Sequence, residues 1–176
     1  MKTTKRAFLF GAAALVLAGC AGVSPTASVI DAPIRDTLRV TDASVDVSAM
    51  GPTTAGRQIA TPSVKAALER DLNATLVGQG QGTRNVRAVV AMQSVNIITA
   101  GQSILIGGES VMKGTLSLVD ARTGAVILEP TEITSGGGGW AAGGLVAVAT
   151  REDSATELNQ MSLEFARRAR VLVFGN

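Results

Sequence analysis

Few side chains in this sequence could do chemistry. The 176 residues include no His and a single Cys, Cys20. Without His, the His-based catalytic triads and the His-containing metal sites are excluded. Acidic pairs such as Asp42 and Asp46 could carry acid–base chemistry, but side chains of this kind are far more often solvated surface charges. The thiol of Cys20 is therefore the nucleophile to explain, and the sequence predicts no enzymatic activity, no cofactor and no metal.

Cys20 follows a segment with the layout of a secretory signal. Three basic residues lie within the first six, and residues 7–19 are apolar or small and carry no charge. This apolar segment is shorter than the about 20 residues that a transmembrane helix needs. Residues 1–19 are therefore predicted to be a signal peptide.

Residues 17–20, with the sequence Leu-Ala-Gly-Cys, resemble the lipobox of bacterial lipoproteins. In that family the chain is cut just before the Cys, whose thiol carries a diacylglyceryl group. The resemblance implies that Cys20 is the lipid-attachment residue, since a thiolate is nucleophilic enough to take the lipid as a thioether. Ala21 rather than Asp follows, which implies the outer membrane, with the protein facing the periplasm.

Charge and composition exclude several classes of protein. Of the 16 Lys and Arg residues, three lie in residues 1–19, which leaves 13 against 14 Asp and Glu. This balance argues against nucleic-acid binding, which needs a basic surface. No Cys follows position 20, so no disulfide can stabilise the body. The remaining length fits one domain with a tether.

Two segments have the periodicity of amphipathic helices. In the first, Thr61 is predicted to be the N-cap and Gly78 to end the helix. In the second, residues 154–157 match a capping box. Each helix has one apolar stripe, which consists of Val64, Ala67, Leu68, Leu72 and Leu76 in the first and of Leu158, Met161, Phe165, Ala169 and Leu172 in the second.

Four segments are predicted to be strands. Residues 37–48 alternate between apolar and polar, with a change of phase that predicts a bulge. Residues 85–99 are rich in β-branched side chains, which favours a central strand with both faces covered. Residues 111–133 contain two strands joined by a hairpin turn, in which Gly124 takes a positive φ.

The order β-α-β-β-β-α predicts an α+β fold. We expect a two-layer α/β sandwich, in which a small mixed sheet carries two helices on one face. Residues 20–36 are predicted to form a flexible tether behind the lipidated Cys, because they are small, polar and interrupted by Pro25 and Pro33. Residues 37–176 then form a single domain.

The strand–helix–strand order of the first half favours a parallel strand pair. In that arrangement, loops 49–60, 100–110 and 134–150 share one end of the sheet, and the tether enters at the other end. Exposed apolar loops often mark an interface, with Trp140 as the anchor, whereas buried ones complete the core. The residues that could contact a partner are Ile104, Leu105, Ile106, Trp140, Leu145 and Val146.

The element order, the hairpin and the glycine-rich loops resemble several families of small uncharacterised envelope lipoproteins, over residues 37–174. Those families imply no assigned activity. The sequence therefore favours a non-enzymatic outer-membrane lipoprotein that serves envelope assembly or interaction with a protein partner. The alternative is a carrier of a small molecule or lipid, with the apolar loops as its mouth, which should enclose an apolar cavity. The sequence leaves the oligomeric state open.

Overall fold

The computed structural model describes residues 27–51, 58–98, 110–136 and 153–175. Their elements, in chain order, are α1 (Ala32–Arg35), β1 (Leu38–Asp46), α2 (Thr61–Thr75), β2 (Arg84–Asn96), β3 (Val111–Asp120), β4 (Val126–Gly136) and α3 (Ser154–Phe174). Apart from the one-turn helix α1, this is the predicted order. The α+β class is confirmed.

The four strands form one mixed sheet in the order β1-β2-β3-β4. β1 and β2 are parallel and are joined through α2, as predicted, whereas β2, β3 and β4 pair antiparallel. We call the end where β1, β2 and β4 finish and β3 begins the loop end. The opposite end, with the β3–β4 turn at residues 121–125, is the hairpin end.

The core lies between the sheet and its two long helices. α2 packs against β1, α3 packs against β3 and β4, and the helices contact each other. Both predicted apolar stripes are buried, and Phe165 is the largest fully buried side chain. Along each strand, the residues that face the helices alternate with more exposed ones, as a sheet covered on one face requires.

The sequence predicted that both faces of β2 are covered. This prediction is wrong for the second face of the sheet, which we call the open face. Among the described residues, helices cover β2 on one face only: Val86 and Val90 are buried beneath them, whereas Arg87 is exposed on the open face. Val89 and Ala91 on that face are half-buried. The β-branched composition of β2 reflects its central position, where side chains pack against those of the strands on both sides.

The folded body begins earlier than residue 37, which shortens the predicted tether of residues 20–36. Ile30 is buried in the core. The hydroxyl of Ser28 donates a hydrogen bond to the carbonyl of Val173, near the end of α3, at 2.7 Å. Apolar burial and hydrogen bonding to α3 therefore fix residues 28–30 against the body, although the local composition is typical of a linker.

The N-caps of both long helices differ from the predicted ones. The N-cap of α2 is Ala60, which makes no side-chain hydrogen bond, and Thr61 is the first helical residue. The N-cap of α3 is Asp153 rather than Ser154: its carboxylate accepts two backbone N–H groups of the first turn, at 2.9 and 2.8 Å. The predicted capping box is therefore replaced by an aspartate cap, and the side chain of Glu157 makes another contact.

A buried aspartate joins the two helices. Asp71 of α2 accepts hydrogen bonds from the Ser162 hydroxyl of α3 at 2.6 Å and from Arg70 Nε at 2.8 Å. Arg70 also donates to the side chain of Asn159 on α3, at 3.0 Å. Burial raises the pKa of Asp71, but the hydrogen bonds from Arg70 and Ser162 outweigh burial and hold that pKa below its usual value. This carboxylate therefore stays charged and serves helix packing.

Candidate functional site

The residues predicted to carry the lipid or to contact a partner lie outside the described residues. They are Cys20, Ile104, Leu105, Ile106, Trp140, Leu145 and Val146. The structure does place the residues that flank the loops: Asn96 pairs with Val111, and Val111 pairs with Gly136. These loops therefore leave and re-enter the sheet at one end, as the strand order predicts.

A polar contact closes the core at the loop end. The buried hydroxyl of Ser110, just before β3, donates to a carboxylate oxygen of Glu157 on α3 and accepts the N–H of Ile98 at 3.2 Å. Within the described ranges, the second oxygen of Glu157 and the hydroxyl of Ser135 are buried without a hydrogen-bond partner. A buried polar atom without a hydrogen-bond partner lowers stability, so the hydrogen-bonding capacity at this contact is only partly used.

Side chains of α2 occupy the outer edge of β1. Lys65 Nζ donates to the carbonyl of Val45 at 2.6 Å, and the N–H of Val45 donates to Glu69 Oε1 at 3.4 Å. Lys65 and Glu69 form an ion pair at 2.6 Å, one helical turn apart. Residues 78–82 bond to the first half of the same edge. A strand edge occupied in this way is protected from pairing with another strand.

The outer edge of β4 is occupied in the same manner by α3. Arg168 donates to the carbonyl of Thr134, and the N–H of Gly136 donates to Glu164 Oε2 at 3.0 Å. Arg168 and Glu164 also pair with each other. Pro130, farther along this edge, has no N–H to offer. Docking of a partner by strand addition at the loop end is therefore disfavoured on both edges.

At the hairpin end, one carboxylate organises the β3–β4 turn. Asp120 accepts the N–H groups of Arg122 and Thr123 at 3.0 and 2.9 Å, and Nε of Arg84 at 2.9 Å. Gly124 takes the predicted positive φ, 74°. The Arg84 guanidinium holds the pKa of Asp120 well below its usual range, and the N–H of Thr123 adds to this effect. The charge of Asp120 is therefore already matched within the protein.

Two shallow depressions lie at the hairpin end, and Asn85 lines both of them. The larger one, of about 430 Å³, is lined by Thr83, Arg84, Asn85, Asp120, Arg122 and Thr123. The smaller one, of about 280 Å³, is lined by Arg39, Val40, Thr41, Val77, Gly78 and Asn85. Arg39 and Arg122 are exposed and, among the described residues, form no ion pair. Arginine, threonine and asparagine residues thus line the surface on both sides of Asn85.

Neither a metal-binding cluster nor a membrane-spanning helix occurs among the described residues. No cluster of acidic, His or Cys side chains among them could hold a metal ion. None of the helices in the described ranges is both long enough and apolar enough to span a membrane.

No protein-family model matches the chain, and no curated protein matches it. Among solved structures, the chain is similar to a candidate lipoprotein from Caulobacter crescentus CB15, with 16% identity over 78% of this chain and 87% of that one and a TM-score of 0.34. It is also similar to the PelC dodecamer from Paraburkholderia phytofirmans, with 16% identity, coverage of 77% and 89%, and a TM-score of 0.41.

A third similar structure is a protein from Xanthomonas campestris of the family DUF330, with 16% identity, coverage of 84% and 93%, and a TM-score of 0.41. A protein described as a candidate lipoprotein and a protein of the family DUF330 are thus among those that the chain resembles. At these identities and TM-scores, no function is transferred from them to this chain.

Sequence reasoning missed the surface at the hairpin end. It predicted a hairpin turn at Gly124 but did not place Arg39, Arg84 and Arg122 around Asn85, because they lie on three separate segments of the chain. The available signal was the carboxylate of Asp120 at the start of the turn. Such a side chain commonly accepts backbone N–H groups two or three residues on.

Proposed function

We propose that the protein is a lipoprotein anchored through Cys20 to the outer membrane, where its body faces the periplasm. The signal-like layout of residues 1–19 and the lipobox-like residues 17–20 support this proposal. Stable anchoring needs two acyl chains or more, and a diacylglyceryl group supplies two.

The observation that carries the proposal is the place where the N-terminal segment joins the body. Ser28 bonds to Val173 near the end of α3, so the first described residues lie at the hairpin end. The loop end is on the far side of the sheet, separated by the length of β2. With 13 residues at about 3.3 Å each, that length is about 40 Å. An anchor at Cys20 would thus leave the loop end facing away from the lipid.

We further propose a non-enzymatic role in envelope assembly or interaction, with a protein partner docking at the loop end. The apolar loop residues, Trp140 above all, are the expected contacts. The ion pairs of α2 and α3 occupy both sheet edges there, which favours docking through loop side chains over strand addition.

The anchor is tested by metabolic labelling with palmitate in cells that produce the full chain. We expect the native protein to incorporate label and the Cys20→Ala variant to incorporate none, because the variant has no thiol to receive the lipid. Ser24→Ala, a nearby substitution that keeps the thiol, should label like the native protein.

Mass spectrometry of the native protein completes this test. The expected mass corresponds to a chain that begins at Cys20 and carries acyl groups. An unacylated native N-terminus, or equal labelling of the Cys20→Ala variant, contradicts the proposed anchor.

The partner site is tested by cross-linking in intact cells. We expect Trp140→Ala to abolish the cross-linked species, because truncating a central aromatic contact commonly costs about 2 kcal/mol or more of binding energy. The matched control is Val126→Ala, which removes an apolar side chain that is 52% exposed at the hairpin end. Cross-links that survive Trp140→Ala, or that disappear equally in both variants, argue against docking at the loop end.

A further inference from the structure

The depressions that flank Asn85 have the chemistry of a site for a phosphate group. Arg84 and Arg122 line the larger depression and Arg39 lines the smaller one, so arginines lie on both sides of Asn85. Guanidinium groups bind phosphate oxygens through forked pairs of N–H donors, and hydroxyl and amide groups such as those of Thr83 and Asn85 add further donors.

The charge of this surface is not cancelled from within. The one acidic side chain that lines it is Asp120, and its carboxylate is already occupied by Arg84 and two backbone N–H groups. Arg39 and Arg122 are exposed and, in the described ranges, have no acidic partner. Arg39 and Arg122 therefore present two positive charges to solvent beside the depressions, in a chain that is near neutral after residue 19.

The length of the N-terminal segment adds a constraint on what can lie against this end. Seven steps along the chain separate Cys20 from residue 27, where the described body begins. Each step spans at most about 3.6 Å, so these residues are at most about 25 Å apart in any conformation. A lipid on Cys20 therefore keeps the hairpin end close to the headgroups, whereas the loop end is about 40 Å farther along β2.

We propose that Arg39, Asn85 and Arg122 form a binding site for the headgroups of anionic phospholipids. This inference rests on the proposed lipid anchor, and it adds a second, electrostatic contact with the same membrane. Lipid anchoring and basic surface residues commonly act together, because each arginine near an anionic surface adds to the attraction. The contact orients the sheet with its hairpin end on the membrane and its loop end toward the periplasm.

The experiment uses the chain from Ala21 to Asn176, which has neither the signal nor the lipid. This chain keeps every residue of the buried core, from Ile30 to Val173, so it retains what folds the body. Its sedimentation is measured with vesicles of phosphatidylcholine alone and with vesicles of phosphatidylcholine and phosphatidylglycerol in equal parts. We expect binding to the anionic vesicles only, and weaker binding as salt screens the charges.

The decisive comparison is between two double variants with the same change in net charge. Arg39→Gln/Arg122→Gln should lower the partition coefficient by roughly tenfold or more. The control, Lys113→Gln/Arg167→Gln, removes two positive charges that lie outside the depressions and, among the described residues, form no ion pair. It should lower the partition coefficient by less than about threefold, because the removed charges are distant from the contact. Circular dichroism checks that both variants are folded.

Three results would overturn the proposal. Equal binding to neutral and anionic vesicles shows no headgroup recognition, and an equal loss in the two variants shows a dependence on net charge alone. Titration with inorganic phosphate is the third arm: phosphate binding that needs Arg39 and Arg122, without vesicle binding, assigns the site to a free anion. Because this chain lacks Cys20, failure here is distinct from failure of palmitate labelling.

Discussion

Asp120 shows how one side chain can shape a whole surface. Its two carboxylate oxygens accept three donors, from the backbone of the turn and from Arg84 on the neighbouring strand. The carbonyl of Asp120 also accepts the N–H of Gly124 at 2.9 Å, which closes the turn. These hydrogen bonds therefore hold the turn in one conformation, and they fix the backbone position of Arg122.

Two glycines with similar backbone angles allow the cost of close packing to be measured. Gly136 has φ 76°, and a Cβ there would lie 2.2 Å from the carbonyl oxygen of Ser110 and 3.1 Å from Met161 Sδ. Gly124 has φ 74° and no atom within 4 Å of the same position. We expect Gly124→Ala to cost about 1–2 kcal/mol from the left-handed backbone alone. Gly136→Ala should cost roughly 1–3 kcal/mol more, because the extra methyl group overpacks the loop end.

Urea unfolding of the two glycine variants measures this difference directly. The shared backbone cost cancels in the comparison, which leaves the steric contribution at Gly136. Equal losses of unfolding free energy would mean that the close approach of Ser110 is relieved without cost, contrary to the expected overpacking.

At the scale of elements, each long helix protects the sheet edge that it covers. α2 presents Lys65 and Glu69 to β1, and α3 presents Glu164 and Arg168 to β4. In both helices the acid and the base are four residues apart, so both side chains lie on the same face and reach one strand. The two charges match the two backbone groups of an open strand edge, a carbonyl and an N–H.

Removing Arg168 should therefore do more than remove a surface ion pair. Arg168→Ala leaves the carbonyl of Thr134 without this donor and Glu164 without its cation. We expect a loss of about 1–3 kcal/mol in the free energy of unfolding, the usual range for a hydrogen bond to a charged group. Arg167→Ala, at an exposed neighbouring position, should change it by about 0.5 kcal/mol or less.

Urea unfolding measures both arginine variants, and hydrogen exchange reports which strand loses protection. The expected result is faster exchange in β4 of Arg168→Ala than in β1, whose edge is held by α2. Equal stability of the two variants would mean that the contact of Arg168 with β4 contributes nothing.

The sequence predicted these elements well because their signals are local. A stripe such as Val64, Leu68 and Leu72 repeats within one helix, and the turn at Gly124 is specified by adjacent residues. The N-cap of α3 was misplaced by one residue, because Asp153 and Ser154 are both good capping residues. The N-cap of α2 was also misplaced by one residue, because the residue found there, Ala60, has no side-chain group that could cap a helix. The prediction that both faces of β2 are covered was wrong. Composition does not show whether the side chains of a strand are buried by helices or by the neighbouring strands.

At the scale of the whole molecule, arginines from separate segments of the chain line the surface at the hairpin end. Arg39 and Arg122 are exposed there and, among the described residues, form no ion pair. Neither composition nor net charge reveals this placement, because it depends on the parallel pairing of β1 and β2, which sets Arg39 beside Asn85. The loop end could be predicted from strand order, but the arginine-lined surface at the hairpin end could not.

The same fold makes stability depend on pH in a direction that can be derived. The pKa values of Asp71 and Asp120 are both lowered in the folded protein, Asp71 by the net effect of burial and its hydrogen bonds and Asp120 chiefly by Arg84. In the unfolded chain an Asp has a pKa of about 3.9. A lowered folded pKa contributes stability that is fully present above the unfolded pKa and is lost as the pH falls toward the folded pKa.

We therefore expect the contribution of these two carboxylates to be constant near neutral pH and to fall below about pH 4, where the unfolded chain binds protons first. In Asp71→Asn/Asp120→Asn, the part of the decline due to these groups should be missing, so the free energies of unfolding of variant and native protein converge as the pH falls. Asp42→Asn, which removes an exposed carboxylate with no ion pair among the described residues, is the control. Denaturant unfolding at a series of pH values measures the three curves. The free energy of unfolding of the double variant could instead run parallel to that of the native protein through this pH range. Neither carboxylate would then be stabilised in its charged form by folding, and Asp120 would not stabilise the β3–β4 turn.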